Sequence, residues 1–159
     1  MENIARDGNF TTLLSGLTGL SGGATTYSTG ASGVTFCVGG KAIHVAQESG
    51  STTPVLDAVT GLAFPALAAN QGTVWVWGYT AAGAIQLAQG SIETLNAGTF
   101  LRAPQFPILP DTVTAFAYTV AKDGATGGAF TVGTSNWNTS GMTYATVDVM
   151  TLPQRPQIS

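Results

Sequence analysis

The sequence predicts an all-β fold: a single β-sandwich, jelly-roll-like domain or small barrel, with extended N- and C-terminal arms. Three observations carry this. Short segments of alternating or β-branched residues recur along the chain, Gly-rich turns separate them, and no long stretch keeps the apolar period of a helix. The chain of 159 residues suits one domain, long enough to bury a core without disulfides or metal. The expected division is a Gly/Ser/Thr-rich arm over 1–33, a β domain over 34–150 and a tail over 151–159.

The arm places Leu13, Leu14, Leu17 and Leu20 at a spacing that suits one face of a short helix. Gly16, Gly19, Gly22 and Gly23 oppose that helix, each costing about 1 kcal/mol relative to alanine. The segment therefore reads as an arm whose leucines contact neighbours. The first clear element is a hairpin, Val34–Val38 and Lys41–Val45 around Gly39-Gly40, a two-residue loop that tolerates positive φ at both positions. Alternation puts Val34, Phe36, Val38, Ile43 and Val45 on a core face, and Thr35, Cys37, Ala42 and His44 on the other.

Residues 54–72 form an apolar connection with Leu56, Val59, Leu62, Phe64 and Leu67, in which Pro65 forbids a long helix. Thr73–Tyr79 follows as a strand apolar on both faces, with Val74 and Val76 on one and Trp75, Trp77 and Tyr79 on the other. Such a strand must be covered on both sides, by a second layer or by a neighbouring subunit. Ala84–Gln89 is its expected partner. Pro104, Pro107 and Pro110 recur every third residue and predict an extended run across the surface. Val113–Ala121 reads as a strand with Phe116, Tyr118 and Val120 on one face. A Gly-rich turn over 122–128, a short strand Phe130–Val132 and a last strand Thr143–Met150 complete the chain.

Charge is scarce. Only 8% of residues are charged, against about 25% in ordinary globular chains. A monomer of this mass exposes roughly 7,400 Å², which leaves about one charge per 570 Å². So bare a surface associates with itself or with something else, so much of it is expected to be an interface. Disorder is excluded by a hydrophobic share of 44% and three Trp. The net charge of −3 and the lack of a basic cluster argue against a nucleic-acid partner. No apolar run is long enough for a transmembrane helix, which argues against a membrane partner. The polar start, Met1-Glu2-Asn3-Ile4-Ala5-Arg6-Asp7, lacks the pattern of a signal peptide, so synthesis in a cytoplasm is expected; the single cysteine agrees.

Chemistry finds little to work with, and the chain is expected not to be an enzyme. One histidine means that a nucleophilic mechanism must use His44. The hairpin register sets His44 opposite Thr35 and diagonal to Cys37, a conceivable thiolate–imidazole pair without a third orienting group. Carboxylates are scattered singly and no metal-ligand spacing occurs, so no metal or cofactor is expected. Asp111 after Pro110 and Asp123 before Gly124 read as turn residues. The Trp75, Trp77 and Tyr79 row reads as packing weight, in the core or between subunits, rather than as a glycan or base platform.

The C-terminal third carries a resemblance. Ala115–Val120 leads through Gly124–Gly128 into Phe130-Thr131-Val132-Gly133-Thr134-Ser135-Asn136-Trp137-Asn138. Gly141-Met142-Thr143-Tyr144 and Asp148-Val149-Met150-Thr151-Leu152-Pro153-Gln154-Arg155-Pro156 follow. Over about residues 105–157 this resembles small virion proteins of tailed bacteriophages, of the capsid decoration or cement type. The resemblance implies a structural protein added to the outside of a capsid, bridging neighbouring capsomers. Its partners are then the major capsid protein and sister copies, as a homotrimer before a dimer, and it is made in the host bacterial cytoplasm. A head-fibre, tail or receptor- or glycan-binding spike component is the alternative. The expected contact residues are Leu13, Leu14, Leu17, Leu20, Trp75, Trp77, Tyr79, Trp137, Pro153, Arg155 and Pro156.

Overall fold

Two long strands, β7 (Gln71–Thr80) and β11 (Val113–Asp123), lie antiparallel at the centre of the molecule. The structure, a computed structural model, describes residues 10–13, 17–20 and 25–158. Among these the chain is all-β, with no helix, and its main sheet curls into a half-barrel. That sheet runs β10 (Thr99–Phe100), β9 (Glu93–Asn96), β7, β11, β12 (Met142–Asp148), with β8 (Ile85–Gln89) also paired to β7. Two three-stranded sheets complete the fold. One orders β1 (Phe10–Leu13), β4 (Val34–Val38) and β5 (Lys41–Val45); the other orders β2 (Leu17–Leu20), β3 (Thr26–Thr29) and β6 (Ser51–Thr52).

The central strands are buried on both faces by the chain itself. On one face Trp75, Trp77 and Tyr79 meet Phe36 from β4, Tyr27 from β3, and Phe64, Leu67, Phe130 and Trp137 from connections. On the other, Val74, Val76, Tyr118 and Val120 are covered by Phe106 and Leu109 of the Pro-rich run and by Leu152 and Ile158 of the tail. The apolar character of both faces thus follows from two layers within one chain.

The hairpin forms in the expected register, with Val38 paired to Lys41 and Thr35 to His44. Its turn glycines take positive φ, at 55° for Gly39 and 77° for Gly40, as a tight two-residue loop requires.

Several expectations are corrected. Phe116 does not share a face with Tyr118 and Val120. The register slips between Ala115 and Ala117, an extra residue that turns Phe116 into the first core while Tyr118 and Val120 face the second. Residues 130–132 make no strand: Phe130 forms an isolated bridge to Leu67, while its ring and Val132 are buried. Asp123 is not a turn residue but the buried end of β11.

The described residues of 1–33 are not a detached arm. β1 pairs with β4, β2 pairs with β3, and the Thr11 hydroxyl donates to the Ala115 carbonyl at 2.9 Å. The physical reason is that β2 to β5 supply the layer that the aromatic face of β7 needs, and β1 pairs with that layer. The tail also returns to its own domain, where the Gln157 N–H donates to the Tyr118 hydroxyl at 3.0 Å.

Candidate interaction surface

The connection between β6 and β7 is shaped by Asp57. Its buried carboxylate accepts the Val59 N–H at 2.8 Å, while its backbone N–H donates to the Leu62 carbonyl at 2.8 Å. The Ala58 N–H donates to the Leu87 carbonyl at 2.9 Å and anchors the turn on β8. Held this way, the connection sends Phe64 and Leu67 inward and Val55, Leu56, Val59 and Leu62 outward. Leu62 is 69% exposed, and a cleft of about 410 Å³ lies beside Pro54, Leu56 and Gln86.

A second apolar region follows the Pro-rich run. Ser91 fixes its start: its hydroxyl accepts the Gln105 N–H at 2.9 Å and donates to Glu93 at 2.8 Å. That hydroxyl, followed by Arg102 at 3.2 Å, holds the Glu93 carboxyl below its usual range. The run then passes Ile108, 76% exposed, and borders two clefts with the start of the tail. The larger, about 460 Å³, lies between Pro107, Leu109, Val113, Met150 and Leu152. The smaller, about 420 Å³, lies between Pro104, Phe106, Gln154 and Arg155.

The residues named from sequence as contacts fall elsewhere. Trp75, Trp77, Tyr79 and Trp137 are core residues, none more than 1% exposed, with the Trp137 ring edge-on to Trp75 at 5.8 Å. They present no aromatic platform. Leu17 and Leu20 pack partly buried against the same core. Leu13 lies in β1, and Leu14 falls outside the described residues. In the tail Pro156 is buried while Pro153 and Arg155 are exposed, and Arg155 lines the smaller cleft.

No family model, curated protein or solved structure matches this chain. The functional argument therefore rests on the residues themselves. His44 uses its ring, through Nδ1, on the Thr35 hydroxyl at 2.9 Å, across the pair that the hairpin register fixes. Among the described residues no group of three His, Cys, Asp or Glu could hold a metal ion, and no helix is long and apolar enough to cross a membrane.

Sequence reasoning marked 54–72 as apolar but missed which residues face outward. That depends on the Asp57 turn, whose sequence signals are an Asp two residues before Val59 and Gly61, which takes φ 70°. Ile108 was missed because it sits between prolines in no readable period, and Met150 because it reads as the end of the last strand, whereas β12 stops at Asp148.

Proposed function

We propose that this chain is a structural, non-enzymatic virion protein that decorates the outside of a bacteriophage capsid and stabilises it by bridging neighbouring capsomers. The observation that carries the reading is an apolar surface on a nearly uncharged chain. Five basic and eight acidic residues serve an accessible surface of 7832 Å². Onto that surface Leu56, Leu62, Leu101, Ile108 and Met150 project, each more than half exposed.

Burying such side chains is worth about 25 cal/mol per Å². A stable interface buries about 1,200–2,000 Å² in total, and these exposed apolar side chains are its candidate anchors. The scarcity of charge lowers the desolvation cost of covering them. The resemblance of residues 105–157 to decoration proteins names the partners: the major capsid protein and sister copies, a homotrimer before a dimer. The bridging role passes from free arms to the Asp57 turn and the Pro-rich run, since the described arm and tail segments pack on their own domain. The spike alternative loses the support of an aromatic platform.

Sedimentation with expanded phage shells tests the reading. The chain is expected to bind saturably, and Leu62→Asp with Ile108→Asp to weaken binding at least about tenfold, equivalent to about 1.4 kcal/mol. Unchanged binding by that pair would remove these surfaces from the interface. No binding by the parent chain would remove the reading itself.

A further inference from the structure

Asp123 ends β11 on the face that looks into the first core. It is fully buried, 0% exposed, and among the described residues neither carboxylate oxygen has a hydrogen-bond partner. Glycines roof it. A Cβ on Gly127 would overlap the carboxylate, and one on Gly141 would come within 3.1 Å of Oδ1. The roof is held shut by its own bonds: the Gly124 N–H donates to the Gly141 carbonyl at 2.9 Å, and the Gly127 N–H to the Gly124 carbonyl at 3.0 Å.

Among the described residues the neighbours offer no countercharge. Across the sheet stand Gln71 on β7 and Met142 on β12. The Gln71 side-chain oxygen already accepts the Ala68 N–H at 2.9 Å. Lys122, next in the chain, points to the opposite face; its ammonium lies 5.4 Å from the Phe100 ring centre and reaches the Ile158 carbonyl at 3.5 Å. Tyr144, two residues along β12 from Met142, spends its hydroxyl on the Leu20 carbonyl at 3.3 Å. Glu93, on β9 beside Gly72, is held by Ser91 and Arg102.

An isolated carboxylate in such a site is far more costly than a neutral carboxyl, so the closed site takes a proton. Burial accordingly pushes the Asp123 carboxyl above the ordinary aspartate range. We propose that Asp123 is a proton-operated latch: its neutral carboxyl fits under the closed glycine roof, and loss of the proton opens the roof to water. The roof belongs to the connection over 124–141, which also delivers Phe130, Val132 and Trp137 to the core. The latch therefore sets how firmly that connection is seated.

The sign follows from linkage. The closed form holds its proton at pH values where an unfolded aspartate has lost it. Seating is firmest at acid pH and weakens as pH rises through the raised value.

Hydrogen exchange at the Gly124 and Gly127 amides, corrected for intrinsic rates, tests this. In the parent chain, protection should fall by about tenfold for each pH unit between the ordinary aspartate value and the raised one, and level off above it. Asp123→Asn, neutral at every pH, should stay protected throughout. Parallel behaviour of the two proteins would overturn the latch. Calcium that restored protection to the parent at neutral pH but left Asp123→Asn unchanged would also overturn it, because a cation rather than a proton would then neutralise the closed site. If the variant does not fold, the carbon-13 carboxyl resonance of Asp123 in the parent decides. Titration above the ordinary aspartate range supports the latch, and titration within it overturns it.

Discussion

The hydroxyl of Tyr79, near the C-terminal end of β7, donates a hydrogen bond to the Glu48 carboxylate. Tyr27 of β3 joins the same carboxylate. Glu48 itself is held by its backbone, which donates to the Thr29 hydroxyl at 2.9 Å and accepts the Thr29 N–H at 2.8 Å. The cluster ties the connection after β5 to the main sheet and satisfies two phenols inside an aromatic core. Tyr79→Phe should therefore destabilise the fold by about 1.5–3 kcal/mol, since it removes one hydrogen bond to a charged group. Urea unfolding measures this.

The same cluster predicts alkaline behaviour. Burial first, then Glu48, raises the phenol pKa values of Tyr27 and Tyr79 well above the ordinary tyrosine value of about 10. The unfolded chain loses these protons first, so their contribution is intact below about pH 10 and declines as pH rises past it. Each residue adds about 1.4 kcal/mol per pH unit to that decline. Tyr79→Phe should flatten the slope by one such increment, read from unfolding free energies across the alkaline range.

Thr119 completes a buried chain between strands. The Trp77 Nε1–H donates to its hydroxyl at 2.9 Å, and that hydroxyl lies 3.0 Å from the hydroxyl of Thr146. Thr119→Val keeps the shape but leaves the indole N–H without an acceptor, which should cost about 1–3 kcal/mol. Thr119→Ser should cost less. Thermal unfolding of the two variants side by side gives the comparison.

Ala97 sits with Gly98 in the two-residue loop between β9 and β10, at φ 49°. A left-handed conformation costs a residue with a Cβ about 1–2 kcal/mol, and glycine relieves it. Ala97→Gly should leave the chain more stable by up to about 1 kcal/mol, after the extra unfolded-state entropy of glycine is subtracted. A rise in the unfolding midpoint checks the sign.

Much of the architecture was legible in local pattern. Gly39-Gly40 between alternating residues fixed the β4–β5 register, and the doubly apolar Thr73–Tyr79 run marked a strand covered on both sides. What covers it was not legible, because the layers come from distant segments: Tyr27 and Phe36 on one side, Phe106 and Leu152 on the other. The arm over 1–33 misled because its strands β1 and β2 are only four residues each, the second interrupted by Gly19, and are stabilised by pairing rather than by propensity. Phe116 misled because a bulge shifts the alternation by one residue. The contact residues were hardest to read. Trp75, Trp77 and Trp137 are large enough to serve either a core or an interface, and only the tertiary fold sends them inward.

The proposed structural role is tested most directly by a reconstructed image of the particle that carries this protein. The proposal predicts density for this fold on the outer capsid surface in fixed ratio to the capsomers, at three-fold or quasi-three-fold axes, with the Asp57 turn or the Pro-rich run against the shell. Density confined to the tail or vertices, or its absence from the particle, would contradict it.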